Sequence, residues 1–358
     1  MSRRFSSSIL ISASALSVLV AFPVRAASEE NAGPSVAEAI GDEVRLIFQK
    51  CRKAVAKVEA TDRHGKLSGS GFFIDPNGTL YTSYTIGGES RDMVICTDSG
   101  KLPARRLVAD GPSGVAILKV DAATPSFLTI GRSSDLAVAS PVVTIGYPLG
   151  LPASPSFGTI GGFDLRYLTR MFVTTHIRAN VPVQRGEGGA PLLNMRGEVV
   201  GLTIASVDSG SARFVLPIEA AEKIRKDYLR FGEVRPGWMG IAVAPADKSV
   251  AGSNVLIESL IEDAPASRSG IEVGDVLLQI GDRKIVRPED VIDASFFITA
   301  EDEVTVKVAR AAVGELEFTM EAAEHPAIQR SAGKDLHPVL PVLGDSEIRT
   351  QLPIKTDR

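Results

Sequence analysis

The sequence has little of the material from which metal sites and nucleic-acid surfaces are built. Its 358 residues include only 4 histidines and 2 cysteines, without a CxxC or HxxxH spacing, so we predict no metal and no other cofactor. Acidic residues outnumber basic ones, the formal net charge is −4, and no basic block follows the first residues. This balance argues against a nucleic-acid partner. The scarcity of tryptophan and tyrosine beside 33 glycines indicates many turns between short strands.

Long apolar runs are also missing, except for one at the N-terminus that has the pattern of an export signal. Arg3 and Arg4 precede an apolar run over residues 9–24, and small residues offer a cleavage point after Ala26. The run is shorter than the about 20 residues that a membrane span needs. We therefore predict that residues 1–26 are a signal peptide and that the mature protein is periplasmic or secreted. An uncleaved membrane anchor is the alternative.

Export leaves two interpretations of Cys51 and Cys96 open. In an oxidising compartment the two cysteines can form a disulfide, whereas in a reducing one they stay as thiols. A disulfide needs Cα atoms about 4.4–6.8 Å apart, and the sequence spacing favours neither outcome. A disulfide and two buried, unpaired thiols therefore both stand as predictions, and a nucleophilic cysteine is not expected.

Periodicity and turn signals indicate a β-rich segment between two helices, followed by a smaller unit. A capping box at residues 35–38 precedes apolar residues at helical spacing, which predicts a helix of about four turns. Residues 54–214 contain short apolar runs separated by turn signals, which is typical of an all-β barrel or sandwich. Pro217 begins a second helix and Gly232 ends it. Residues 241–321 then form a smaller α+β unit with its own hydrophobic pattern.

Five motifs of the β-rich segment resemble, in the same order, the protease domain of HtrA-type serine proteases. Residues 69–78 read Gly-Ser-Gly-Phe-Phe-Ile-Asp-Pro-Asn-Gly and are similar to the opening of that domain. The other motifs are residues 115–120, 144–150, 186–192 and 214–218. The resemblance implies a mainly β fold with a trypsin-like double β-barrel over residues 35–232 and a cleft between the barrels.

The sequence departs from the family pattern at the three positions where the family carries its catalytic triad. Thr85 stands at the histidine position, Gly114 at the aspartate position and Gly188 at the serine position. A serine triad needs a hydroxyl to attack, an imidazole to accept its proton and a carboxylate to orient that imidazole. Loss of the nucleophile or base alone costs on the order of 10⁶ in turnover. We therefore predict a pseudoprotease without catalytic residues. A serine endopeptidase with a rewired active site is the alternative.

The loop around the serine position is predicted to keep its turn. Gly186, Glu187 and Gly188 form a vestigial oxyanion loop whose backbone N–H groups could hold an anion, and Arg185 adds a cation beside it. Either a carboxylate-binding cleft is retained, or the turn is only a structural remnant. We interpret the four histidines as surface or packing residues and not as a relocated base: His64, His176, His325 and His337.

Four further motifs, residues 236–241, 262–266, 269–277 and 281–286, resemble in their order and spacing the PDZ domains of the same family. A PDZ domain is therefore predicted over residues 237–323, with a free strand edge at 240–244 and a helix at about 288–297 as the two walls of a peptide groove. A side chain at Gly240 is expected to crowd the peptide backbone. A PDZ-shaped unit that only packs against the barrels is the alternative. The residues predicted to bind the peptide are Trp238, Met239, Gly240 and Ile241.

These patterns predict an exported, catalytically inactive HtrA-like protein that takes part in protein quality control. It would bind peptides or the unfolded and C-terminal segments of other proteins, as a scaffold, regulator or holdase. An active HtrA relative is a further expected partner, and the chain can form a homo-oligomer. Residues 324–358 contain several prolines and no periodicity, which predicts a disordered tail.

Overall fold

The computed structural model describes residues 35–324, apart from residues 125, 168–169 and 208–209. The predicted signal peptide and the tail beyond Glu324 lie outside the described residues, together with His325 and His337. Within the described part of the chain, no helix has both the length and the apolar character that crossing a membrane requires.

The first helix, α1 (Val36–Cys51), begins at the predicted capping box. The N–H of Ser35 donates to Glu38 Oε2 at 2.7 Å, and the N–H of Glu38 donates to Ser35 Oγ at 3.3 Å. These bonds satisfy N–H groups that have no partner inside the helix. The end of the helix buries Ile47 and Cys51 in the apolar core.

Two closed barrels of six antiparallel strands follow, and each is filled by the inward side chains of its own strands. The first barrel has the order β1-β2-β3-β6-β5-β4, and the second β10-β11-β12-β9-β8-β7. A shared apolar cluster joins them, with Phe72 and Tyr81 from the first barrel and Ile145 and Leu202 from the second. The strands of the first barrel are β1 (Val55–Thr61), β2 (Lys66–Phe73), β3 (Thr79–Ser83), β4 (Arg91–Thr97), β5 (Gly100–Asp110) and β6 (Val115–Val120). Those of the second are β7 (Pro141–Gly146), β8 (Ser154–Tyr167), β9 (Arg170–Asn180), β10 (Pro191–Leu193), β11 (Val199–Val207) and β12 (Ala212–Pro217).

Two helices complete the barrel region. The short α2 (Tyr84–Gly87) follows β3 directly, and α3 (Ile218–Phe231) leads out of β12. The second of these helices has the predicted boundaries, since Pro217 precedes it and Gly232 ends it with φ of +78°. Glycine suits this position because it adopts a left-handed conformation without a Cβ clash.

The second domain is built on a six-stranded sheet with α4 and α5 packed against it. Its strands run in the order β14-β15-β16-β18-β19, with β17 paired to β16, so that β14 is an open edge. Strands β13 and β20 form a separate pair. The elements are β13 (Gly237–Trp238), β14 (Ile241–Val250), β15 (Ser253–Leu260), α4 (Pro265–Ser269), β16 (Val276–Ile280), β17 (Arg283–Lys284), α5 (Pro288–Phe296), β18 (Glu303–Arg310), β19 (Gly314–Glu321) and β20 (Ala323–Glu324). The predicted fold class, a double β-barrel followed by a smaller α+β domain, is confirmed.

Polar contacts fix the second domain to the barrel region, and we call those of Asp293 the domain joint. Asp293 on α5 accepts hydrogen bonds from Thr174 Oγ1 at 2.7 Å and from the N–H of Thr175 at 2.6 Å, both on β9. A second connection lies on α3, where the buried Asp227 accepts a hydrogen bond from Thr299 Oγ1 at 2.7 Å. The wall of the predicted groove is thus bonded to the second barrel.

The two cysteines are both free thiols. Cys51 is buried at the end of α1, with its Sγ 3.5 Å from the carbonyl oxygen of Gly197. Cys96 is only half-buried on β4, where it faces the carboxylate of Glu59. The structure therefore contains unpaired thiols and not the disulfide, because each cysteine packs against a different neighbour.

Candidate functional site

The structure brings together the three positions at which the sequence resemblance places a catalytic triad. Thr85 lies in the first turn of α2, and Gly188 lies in the loop before β10. A Cβ built on Gly188 would stand 3.9 Å from Thr85 Oγ1 and 3.3 Å from Ser83 Oγ. The N–H of Tyr84 donates to the carbonyl oxygen of Gly114 at 2.7 Å, which holds the third position beside the other two.

At these three positions and at the neighbouring Ser83, the side chains are hydroxyl groups or the single hydrogen of glycine. Ser83 and Thr85 share a hydrogen bond of 2.9 Å between their side-chain oxygens. Neither group accepts a proton at neutral pH, so this pair cannot serve as a general base. Asp110 lies four residues before Gly114, but its carboxylate accepts the N–H of Ser113 at 2.8 Å. Burial raises the pKa of Asp110.

Gly114 has a backbone that is poorly suited to most other residues. Its φ is +80°, which L side chains rarely adopt, although a Cβ would make an ordinary van der Waals contact with Ile204, at 3.4 Å. Gly189 is more tightly constrained, with φ of +87° and a Cβ position 2.1 Å from the carbonyl oxygen of Ser70. Gly188 lacks such a restriction, because its φ lies outside the left-handed region.

A buried ion pair supports the vestigial oxyanion loop. Glu187 is almost fully buried, and its Oε2 lies 3.6 Å from Nη2 of Arg213 on β12. The same Oε2 accepts the N–H of Gln184 at 2.7 Å. Arg213 donates to Thr144 Oγ1 and Thr203 Oγ1 at 3.2 Å each. Burial lowers the pKa of Arg213 to about 10, and Glu187 acts in the opposite direction, so the guanidinium stays charged at neutral pH.

The predicted anion-binding nest is partly used by the loop itself. The N–H of Glu187 donates to the carbonyl oxygen of Gln184 at 3.2 Å, and that of Gly189 donates to Thr203 O at 2.8 Å. Arg185 is exposed, as expected, but its carbonyl oxygen accepts the N–H of Leu149 at 2.6 Å. The loop is therefore a hydrogen-bonded turn, and sequence reasoning missed the buried carboxylate beneath it.

A cavity of about 560 Å³ lies where the peptide groove is predicted. One side is formed by residues 238–241, which we call the carboxylate loop, and by the start of β14. The other side is formed by α5, including Val291 and Ile292. Ile292 is 40% exposed, so its apolar side chain is accessible to a ligand in the groove. Because β14 is an edge strand, its outer backbone groups can pair with an incoming peptide.

The carboxylate loop is oriented by two inward carbonyl groups. Met239 O accepts the N–H of Ala266 at 3.0 Å, and Gly240 O accepts the N–H of Ile261 at 2.9 Å. In a trans peptide the N–H points opposite to the C=O. The N–H groups of Gly240 and Ile241 therefore point away from these partners, as the binding of a terminal carboxylate requires.

Gly240 plays a different part from the one expected. Its φ is +80°, and a Cβ would lie 2.2 Å from the Cβ of Ala264. A side chain at Gly240 would therefore distort the loop from behind before it crowded any peptide. Gly240→Val does not separate ligand binding from loop folding, so other substitutions must test the groove.

The barrel region contributes residues to the same cavity that sequence reasoning did not find. Arg166 and Met171, from the β8–β9 hairpin, line the cavity together with the PDZ residues. The Nε of Arg166 lies 3.3 Å from the Sδ of Met171. No motif in the hairpin indicates this, because the contact depends on how the two domains pack.

The two described histidines have partners other than the residues of the vestigial site. His64 is exposed in the turn between β1 and β2, and its Nε2 accepts a hydrogen bond from Arg63 at 2.9 Å. His176 is buried on β9, stacked on Phe172 with ring centroids 4.2 Å apart. Burial lowers the pKa of His176 to about 4. Surface and packing roles describe these two residues, as the sequence suggests.

Comparison with known proteins matches both domains. Residues 69–202 match the family model of the trypsin-like peptidase domain, and residues 237–318 match that of the PDZ domain. A Halomonas elongata protein named "Probable periplasmic serine endoprotease DegP-like" is 32% identical over 278 residues, which cover 74% of this chain and 58% of the relative. A Pseudomonas fluorescens protein of the same name is 31% identical over 240 residues, 64% of this chain and 50% of that protein. The chain thus spans about half the length of the curated relatives it matches.

Solved structures support the same architecture. The HtrA-type protease AlgW with a tripeptide has a TM-score of 0.65 at 20% identity, over 79% of this chain and 97% of that one. The serine endoprotease from Yersinia pestis has a TM-score of 0.57 at 20% identity, over 79% of this chain and 98% of that one. The protein therefore combines two domain types, a trypsin-like peptidase domain and a PDZ domain. A double barrel followed by a PDZ domain is the fold that this chain shares with the AlgW structure.

Proposed function

We propose that this chain is an exported pseudoprotease that binds peptides or protein C-termini in its PDZ groove and uses the peptidase fold as a scaffold. One observation carries the proposal. The three catalytic positions converge but hold Thr85, Gly114 and Gly188, while the groove between β14 and α5 keeps an apolar cavity and an open strand edge. Peptide recognition needs only the second feature, whereas hydrolysis needs the first.

The comparisons support the binding half of the proposal. Structures of the HtrA-type protease AlgW contain a tripeptide or a decapeptide, and the curated relatives are named periplasmic. The same fold in this chain offers backbone N–H groups at Gly240 and Ile241. We therefore assign peptides with free C-termini as the ligand class and the periplasm as the compartment. The role is that of a scaffold, regulator or holdase.

A protease with a rewired site is the second candidate, and the position of Ser83 favours it. Its hydroxyl lies 3.3 Å from the point where a Cβ at position 188 would stand, which is close to the place of the family's nucleophile. A serine hydroxyl must lose its proton to attack a carbonyl carbon. The hydroxyl beside it is that of Thr85, which cannot accept that proton. Ser83 is also fully buried. We therefore expect no turnover.

The two candidates are separated by incubating the chain from residue 27 with unfolded casein and with a serine-directed phosphonate probe. We expect neither casein fragments nor labelled protein. Fragments that disappear in the Ser83→Ala variant would establish the rewired protease and overturn the inactive reading.

Peptide binding is tested in parallel with a library of peptides that have free or amidated C-termini. We expect affinities around micromolar, because a short strand must offset its own ordering entropy, and weaker binding after amidation, which removes the charge. Ile292→Asp should abolish binding, whereas Val273→Asp, an exposed apolar residue outside the groove, should not. Equal binding by both variants would remove the groove from the proposal.

A further inference from the structure

The chain returns to the peptide groove at its last described strand. Strand β20 pairs with β13, where Gly237 is opposite Glu324 and Trp238 is opposite Ala323. Paired strands lie about 4.8 Å apart, and both Gly237 and Trp238 line the groove cavity. The sequence that follows residue 324 therefore starts one strand away from the groove.

That following sequence contains one segment with the chemistry of a groove ligand. Residues 338–343 read Pro-Val-Leu-Pro-Val-Leu and form the longest apolar run after residue 324. The intervening residues 325–337 span at most about 45 Å when fully extended. The groove beside Trp238 lies well within this reach. Its apolar lining, which includes Met239 and Val243, matches the apolar run.

One register allows strand addition, with Pro338 as the first residue of the added strand, where proline is tolerated. An added strand uses the N–H and C=O of alternate residues to bond the edge strand. If Leu340 and Val342 make these bonds, Pro341 faces outward, where its missing N–H costs nothing. Prolines also restrict the unbound segment, so less entropy is lost when it binds.

We propose that residues 338–343 occupy the PDZ groove of the same molecule and compete there with other peptides. The inference rests on the proposed peptide-binding function. An internal segment brings no terminal carboxylate to the loop at Gly240, so its intrinsic affinity is lower than that of a C-terminal ligand. Tethering supplies an effective concentration of about 1 mM. A segment with an intrinsic Kd of about 100 µM would then fill about nine-tenths of the grooves and weaken competing peptides about tenfold.

The test uses the chain from residue 27 with Leu340→Asp and Val342→Asp. The matched control carries Leu352→Asp and Ile354→Asp, an apolar pair outside the segment. The probe is a fluorescein-labelled peptide of residues 336–345. Trp238 is the only tryptophan in the sequence and lines the groove, so its emission reports occupancy independently. A chain that ends at Glu324 provides a second variant without the segment.

We expect the 340/342 variant and the shortened chain to bind the probe about tenfold more tightly than the unchanged chain and the control. Without the probe, Trp238 emission of the 340/342 variant and of the shortened chain should be shifted relative to the unchanged chain. The emission of the control should not be. Equal probe affinity in all four, or no probe binding to the shortened chain, would overturn the inference. A difference that appears only at high protein concentration would assign the segment to a second copy and also overturn it. If C-terminal library peptides bind none of the proteins, the proposed function itself fails, and this outcome is distinct from the others.

Discussion

The carboxylate of Glu187 and the guanidinium of Arg213 lie 3.6 Å apart, and their side chains are 3% and 0% exposed. Glu187 stands between the two glycines of the vestigial oxyanion loop, and Arg213 also donates to the carbonyl oxygens of Val181 and Pro182. The pair therefore fixes both the segment that precedes the loop and the loop itself. The conformation of this loop depends on a buried charge pair within the protein and needs no substrate.

The ion pair leads to the first prediction. Arg213→Met should lower the free energy of unfolding by about 3–5 kcal/mol, because it leaves Glu187 charged and unpaired in the interior. The double variant with Glu187→Gln should regain much of this loss, since the uncompensated charge is gone. Urea denaturation followed by circular dichroism measures both.

The control for this prediction is the exposed pair of Lys307 and Glu317, whose nitrogen and oxygen lie 3.2 Å apart. Lys307→Met should cost less than about 1 kcal/mol, because solvent screens an exposed pair. Strictly additive losses for Glu187→Gln and Arg213→Met would contradict a coupled buried pair.

Much of the architecture could be predicted from local signals in the sequence. The capping residue Ser35 and the proline and glycine at the ends of α3 define helix boundaries through backbone chemistry, which depends on few neighbours. The loop at Trp238 was found because its motif is contiguous. By contrast, the Glu187–Arg213 pair joins residues far apart in sequence, and the Arg166 contribution to the groove depends on domain packing. Neither has a local signal, so only the three-dimensional structure reveals them.

The second prediction concerns the restoration of a nucleophile. Gly188→Ser should fold, because the φ of residue 188 lies outside the left-handed region and the nearest atom, Ser83 Oγ, stands 3.3 Å from the new Cβ. It should still leave casein intact, since no base activates the hydroxyl. Adding Thr85→His and Gly114→Asp supplies the missing groups, although φ of +80° at position 114 makes the aspartate strained by about 1 kcal/mol or more.

Labelling by a phosphonate probe is the measurement for these variants, with Gly188→Ala as the matched control. We expect labelling to increase only in the triple variant. Strong labelling of the single Gly188→Ser variant would reveal a base elsewhere in the cleft and contradict our assignment of the histidines.

The third prediction is a loss of stability in acid that depends on His176. Burial lowers the pKa of this imidazole from 6.5 to about 4, so the unfolded chain binds a proton more readily than the folded one between these values. Stability is therefore fully present above about pH 6.5 and falls as the pH drops toward 4, by up to about 3 kcal/mol. Within the described residues Nε2 has no hydrogen-bond partner, so the protonated form gains no compensating bond.

The unfolding free energy of the unchanged chain and of His176→Phe, measured from pH 7 to pH 4, checks this effect. Phenylalanine keeps the stacking on Phe172 but cannot titrate. The difference between the two proteins should change by about 3 kcal/mol across the range. A constant difference would mean that His176 titrates normally in the folded protein.

The fourth prediction concerns the domain joint at Asp293. Its Oδ1 accepts two hydrogen bonds from the second barrel, and its Oδ2 accepts one from Arg283 at 2.6 Å. In Asp293→Asn, one of these oxygens becomes an N–H group that faces another donor. We expect the substitution to lower the free energy of unfolding by about 1.5–3 kcal/mol, the range for hydrogen bonds to charged groups. Because the lost bonds join two domains, the PDZ domain should separate more often from the barrels.

Limited trypsin digestion measures this separation, since Arg230 lies in the last turn of α3 and donates to Asp302 of the second domain at 2.6 Å. Cleavage after Arg230 should accelerate in Asp293→Asn. Glu289→Gln, which alters another carboxylate of the same helix, should leave the cleavage rate unchanged. Equal rates in Asp293→Asn and the unchanged chain would mean that the contact through Asp227 holds the domains without Asp293. The joint would then contribute only to the orientation of α5 as the wall of the groove.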